Sequence, residues 1–100
     1  MNWFGINDMD NKDEIRRKIS DLEYKKKSLE SDLCRAESEN DRAISDMRYY
    51  GEAENDRSHK YYWEYHDAQN RHNQYSREVR NLKDDIWDVR IDISDLEREL

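Results

Sequence analysis

From Ile15 onward the apolar residues Ile19, Leu22, Leu29, Leu33, Ala36, Ala43, Met47 and Tyr50 return at alternating spacings of four and three, with Lys26 and Asn40 standing at the two seam positions that break the series. Such a heptad draws one apolar stripe along a helix and leaves charged residues on the other faces. A second series, Tyr61, Tyr65, Ala68, His72, Tyr75, Val79, Leu82, Ile86, Val89, Ile93, Leu96 and Leu100, keeps the same rhythm to the last residue. The pattern predicts an N-terminal arm over 1–11 and two long helices, over 12–50 and 57–100.

Between Tyr50 and Tyr61 the rhythm slips. The intervening Gly51-Glu-Ala-Glu-Asn-Asp56 offers a glycine to end one helix and Asn55 or Asp56 to cap the next, so a turn is expected over 51–56. The chain then reads as one all-α domain, two long helices in an antiparallel coiled-coil hairpin. The competing arrangement is a single helix of about 85 residues, roughly 130 Å long, paired in parallel with a second chain.

Charge favours the hairpin. Folding back at the turn sets Leu29 against Leu82, Leu33 against Val79, Asn40 against His72 and Ala43 against Ala68. In that register Arg16 flanks Glu97, Lys18 flanks Asp92, Glu23 flanks Arg90, Lys25 flanks Asp85, Glu30 flanks Lys83 and Glu39 flanks Arg71, all complementary. Asp32 with Glu78 and Asp46 with Glu64 repel, and a parallel pair also offers good contacts, each exposed pair contributing at most ~1 kcal/mol. Asn40 and His72 form a polar seam layer, a device that fixes register at some cost in stability.

Composition sharpens this picture. The 100 residues are 34% hydrophobic and 43% charged with no proline, which suits a narrow seam and long helices better than a broad core. A net charge of −7 argues against direct binding to a phosphate backbone. Cys34 is the single cysteine, so no internal disulfide forms, and it reads as a small, partly buried residue beside the seam. The start has neither the basic nor the apolar region of a signal peptide, and no apolar run approaches the roughly 20 residues of a membrane span. The expected compartment is the cytoplasm, with export by a route that needs no cleaved signal as the alternative.

Catalytic chemistry has little to work with. His59, His66 and His72 lack the spacing that aligns metal ligands on one helical face, and Asp56-x-x-His59 is the nearest approach. There is no phosphate-cradling loop and no nucleophile elbow. The expectation is a non-enzymatic protein with no cofactor, no metal and no small-molecule substrate.

The surplus aromatics point to interaction. Tyr61 and Tyr65 fall in the seam, which turns Tyr62 and Trp63 elsewhere, and Trp87 with Ile91 makes an apolar pair outside it. Trp3, Phe4 and Ile6 could fold back onto the Trp87/Ile91 strip, or these groups could meet a partner. The seam is thin at Ala36, Asn40, Ala43, Ala68 and His72, so a helical protein partner or a homodimer is expected.

Tyr49-Tyr50-Gly51, an aromatic-x-Gly motif at the bend between two helices, resembles that of the small helical-hairpin proteins of bacterial type VII secretion, the WXG-type proteins and their coiled-coil relatives encoded beside LXG toxins. The resemblance implies a partner or targeting factor that binds a helical region of a cargo toxin and presents it for export. On that reading Trp3, Phe4, Tyr49, Tyr50, Gly51, Tyr62, Trp63, Trp87 and Ile91 are the partner-binding candidates. Two alternatives stand beside it. One is a phage-encoded acidic inhibitor that imitates nucleic acid with Asp84, Asp85, Asp88, Asp92 and Asp95, blocking the basic groove of a nucleic-acid enzyme. The other is a structural coiled-coil scaffold.

Overall fold

The computed structural model describes residues 3–54 and 60–100, with side chains over 11–52 and 60–100. Two helices account for nearly all of them: α1, Trp3–Glu54, and α2, Tyr62–Arg98. Among the described residues there is no strand. The architecture is the antiparallel helical hairpin, and the single uninterrupted helix is excluded. Side chains far apart in sequence, such as Asn40 and His72, meet directly.

The element boundaries differ from the expected ones at both ends of α1. The helix begins at Trp3, so the segment expected to be an arm continues the helix; the side chains of Trp3 and Phe4 lie outside the described residues. It also runs past Gly51 to Glu54, so Gly51 is a helical residue and not a C-cap. Nothing between Tyr50 and Glu54 forces a stop, since Glu and Ala are good helix formers and only the glycine weighs against them, by about 1 kcal/mol. Asn55 and Asp56, expected to cap the second helix, lie outside the described residues. The Tyr61 carbonyl accepts a bond from the Tyr65 amide at 2.9 Å, which makes Tyr61 the residue that opens α2. Glu64 then adds a negative charge near the helix N-terminus. At the other end, amides of Glu99 and Leu100 bond back three residues to Leu96 and Glu97, the tighter geometry that often closes a helix.

The chain divides into two compact units, each pairing a piece of α1 with a piece of α2: one made of Met1–Glu30 and Asp84–Leu100, the other of Ser31–Lys83. In the first, the buried residues are branched aliphatics: Ile15 on α1 and Ile86, Val89 and Ile93 on α2. Lys26 is half-buried at its seam position, with its ammonium 3.5 Å from Glu23 one turn back. In the Ser31–Lys83 unit the buried residues are alanines, Ala36, Ala43 and Ala68.

The expected flanking ion pairs are replaced by others. Arg90 pairs with Glu30 at 3.9 Å instead of Glu23, and Arg71 with Asp46 at 2.9 Å instead of Glu39. Local competition explains the change. Glu23 is taken by Lys26, Glu39 by Arg42, Arg16 by Asp13 and Lys18 by Glu14, all one helical turn away. Pairs one turn apart on a helix contribute a few tenths of a kcal/mol, about as much as exposed pairs across the seam, so the nearer partner is enough to decide the outcome. The expected repulsion at Asp46 is relieved because its carboxylate takes the Arg71 guanidinium.

Candidate functional site

In the Ser31–Lys83 unit, the ends of α1 and α2 nearest the turn bring together five of the chain's seven tyrosines: Tyr49, Tyr50, Tyr61, Tyr62 and Tyr65. Heptad phase decides which rings are held. Tyr50, Tyr61 and Tyr65 occupy seam positions and are half-buried, with the Tyr50 and Tyr61 rings 5.4 Å apart. Tyr49 stands outside the seam, packs its ring edgewise on Tyr50 at 5.1 Å and remains 65% exposed. On α2, Tyr62 meets Trp63 edge to face at 5.1 Å and lies 4.3 Å from the His66 ring, yet Trp63 is 79% exposed. The Lys60 ammonium sits 5.4 Å from the Tyr61 ring centre, within cation–π range.

Gly51 has a role here that differs from the expected one. A Cβ at this position would stand 3.1 Å from Cε2 and 3.4 Å from Cδ2 of Tyr65. The missing side chain lets the Tyr65 ring lie against the α1 backbone, so the aromatic-x-Gly motif works as a packing notch within a helix. Of the partner-binding candidates, Tyr49, Tyr50, Gly51, Tyr62 and Trp63 share one end of this unit.

Deeper in the same unit, His72 Nδ1 lies 2.8 Å from Asn40 Oδ1. The Ser76 hydroxyl joins them, 3.4 Å from the same oxygen and 3.3 Å from Nδ1. The arrangement that satisfies all three has Nδ1–H and the Ser76 hydroxyl both donating to Asn40 Oδ1. Ser76 was missed in the sequence because it sits one position outside the seam; its spacing of four from His72 is the signal that could have found it. Beside this layer Arg71 donates from Nη2 to Asp46 across the helix pair and from Nε to Asp67 one turn back at 3.1 Å. The bond to Asp46, helped by Asp67, raises the guanidinium pKa above its ordinary value against the opposing effect of burial.

The unit of Met1–Glu30 and Asp84–Leu100 carries a second set of candidates. Trp87 is 62% exposed and Ile91 is also exposed, consistent with their places outside the seam. Tyr24 on α1 is exposed as well, a group that the sequence reading did not single out. Asp84, Asp85, Asp88, Asp92 and Asp95 all face solvent, and Asp95 pairs with Arg98 at 3.5 Å. Between α1 and α2 runs an open groove of about 470 Å³, floored by Leu22 and Leu96 and rimmed by Lys18, Asp21, Asp92 and Asp95.

Cys34, expected to be partly buried, is exposed, because its position next to Leu33 turns it away from α2. Among the described residues no cluster of three or more His, Cys, Asp or Glu side chains could hold a metal ion, and no helix is long and apolar enough to cross a membrane. No buried side-chain nitrogen or oxygen among them lacks a hydrogen-bond partner. No protein-family model, curated protein or solved structure matches the chain.

Proposed function

We propose that this chain is a non-enzymatic protein-interaction module that binds a helical partner, with the aromatic end of the Ser31–Lys83 unit as its principal contact surface. The observation that carries the reading is the exposure of Trp63 and Tyr49 beside tyrosines already held by the seam. Rings with one side fixed by the fold lose little conformational freedom on binding, and tryptophan and tyrosine dominate the energetics of protein interfaces. In the finer form of this proposal the partner is a cargo helix of a type VII secretion system, which the module helps to present for export. The Tyr49-Tyr50-Gly51 motif near the end of α1 supports that form.

The test is site-specific photo-crosslinking in the native cell from position 63, with exposed Ser38 as the control position. The expected result, with an aromatic photoreactive residue standing in for Trp63, is one crosslinked protein whose contact segment is helical, with capture lost in Tyr49→Ala and Tyr62→Ala. Capture that survives both substitutions removes the aromatic end from the interface. The reading as an acidic inhibitor rests on the solvent-facing aspartates between Asp84 and Asp95. It makes the opposite forecast for salt: a charge-imitating complex weakens steeply as ionic strength rises, whereas an aromatic interface responds little.

A further inference from the structure

We infer that the groove over Leu22 and Leu96 is a docking site for a basic amphipathic helix of another protein. The inference rests on the reading of the chain as a binder of helical partners and names a second surface and the chemistry that fits it.

Three observations lead there. Leu22 and Leu96 are seam residues, yet both stay half-buried and form an apolar floor open to solvent. A groove between two helices is the place where a third helix lays its apolar face, with contacts repeating every three to four residues. The rim selects the sign of the occupant's charge: three aspartates, Asp21, Asp92 and Asp95, stand against one lysine, Lys18. Lys18 is engaged by Glu14 at 3.6 Å and Asp95 by Arg98 at 3.5 Å, which leaves Asp21 and Asp92 as the rim's unengaged charges. Among the described residues neither Asp21 nor Asp92 has an ion-pair partner, so a lysine or arginine arriving beside the apolar stripe gains a carboxylate without displacing one already paired. An acidic amphipathic helix of the same shape would meet like charge at three of the four rim positions.

The experiment titrates the full chain by calorimetry with two designed amphipathic peptides of one hydrophobic pattern, one leucine/lysine and one leucine/glutamate, at physiological salt. The expected result is binding of the lysine peptide and none of the glutamate peptide. Generic attraction to an acidic protein is separated from docking by two variants of equal charge change, Asp92→Lys with Asp95→Lys at the rim, and Glu37→Lys with Asp41→Lys at exposed positions of the Ser31–Lys83 unit. The rim pair should weaken binding by about tenfold or more, while the pair away from the groove should change it less than about threefold. Helix content by circular dichroism checks that both variants keep their fold. Equal weakening by the two variants, or equal binding of the two peptides, overturns the inference. So does a homodimer of the unmodified chain that dissociates on reversing Asp92 and Asp95, because the occupant would then be a second copy. The outcome is independent of crosslinking at position 63: loss of the groove leaves the aromatic end standing, and the reverse also holds.

Discussion

Each of the two units pairs a stretch of α1 with a stretch of α2, but they use different side chains to do it. The unit containing both chain ends buries Ile15, Ile86, Val89 and Ile93. Branched aliphatics remove much apolar surface from water, about 1.5–3 kcal/mol for each fully buried side chain, and need no particular polar partner. The fully buried residues of the Ser31–Lys83 unit are alanines, and directional contacts join its helices: the Asn40–His72–Ser76 layer, the Arg71–Asp46 pair and the tilted Tyr50–Tyr61 rings. The contrast teaches where a thin helical pair has surface to spare. A seam that closes fully only at alanines leaves its large rings half-buried or on the periphery, where a partner can reach them. A seam of large residues keeps its apolar groups to itself except where it opens into a groove.

The comparison can be broken most sharply in the aliphatic unit. Ile93→Ala should cost ~2–4 kcal/mol in urea unfolding, because it deletes most of a buried side chain from a core with few substitutes. A loss below about 1 kcal/mol would mean that the aliphatic seam is not the main source of stability.

The next largest effect belongs to the polar layer. Replacing Asn40 and His72 together by leucine should raise stability by ~1–2 kcal/mol and permit slipped registers or altered association, read by unfolding and by sedimentation. Asn40→Leu alone should lose stability by ~1 kcal/mol, since His72 Nδ1 and Ser76 would lose their shared acceptor. If the single substitution stabilises as much as the double, the layer is hydrated and specifies nothing.

At Gly51 two terms of similar size oppose each other. Alanine gains about 1 kcal/mol of helix propensity but brings a methyl group within contact of the Tyr65 ring, so Gly51→Ala should change stability by less than ~1 kcal/mol. Gly51→Leu cannot be accommodated without expelling that ring, and its near-ultraviolet dichroism from tyrosine should fall. An unaltered tyrosine signal in Gly51→Leu would remove the packing notch from the account.

The smallest effect is expected at the ion pair. Arg71 and Asp46 are each about a third exposed, so Asp46→Asn should cost less than ~1 kcal/mol, with the difference shrinking in high salt. A larger, salt-independent loss would make the pair a structural element equal to the polar layer.

Much of this architecture is legible in periodicity alone. The two heptad series fold back with Asn40 opposite His72, and those side chains lie 2.8 Å apart. The exposure of Trp63, Tyr62, Trp87 and Ile91 follows equally from their phase, because a residue away from the seam of a two-helix pair has nothing to cover it. Boundaries were harder to read. A glycine followed by capping residues looks like a helix end, but Gly51 is helical and its meaning depends on Tyr65, a residue of the other helix. Ion pairs were harder still, since each long flanking side chain had several partners within reach and the choice turned on differences below ~1 kcal/mol. The groove over Leu22 and Leu96 carries no sequence signal, for it depends on how far two half-buried leucines are left uncovered.

The sequence by itself therefore determined the helical hairpin, its register and the set of rings outside the seam, because these follow from a repeat that runs through both arms and is interrupted only at Lys26 and the Asn40–His72 layer. Only the tertiary structure decided which acid each arginine takes, how Ser76 completes the polar layer, why Gly51 must be small, and where an acidic-rimmed apolar groove opens. The physical reason is the range of the interactions. Periodicity sums many weak preferences along one helix, whereas a hydrogen bond, an ion pair or a groove depends on the positions of a few atoms contributed by both.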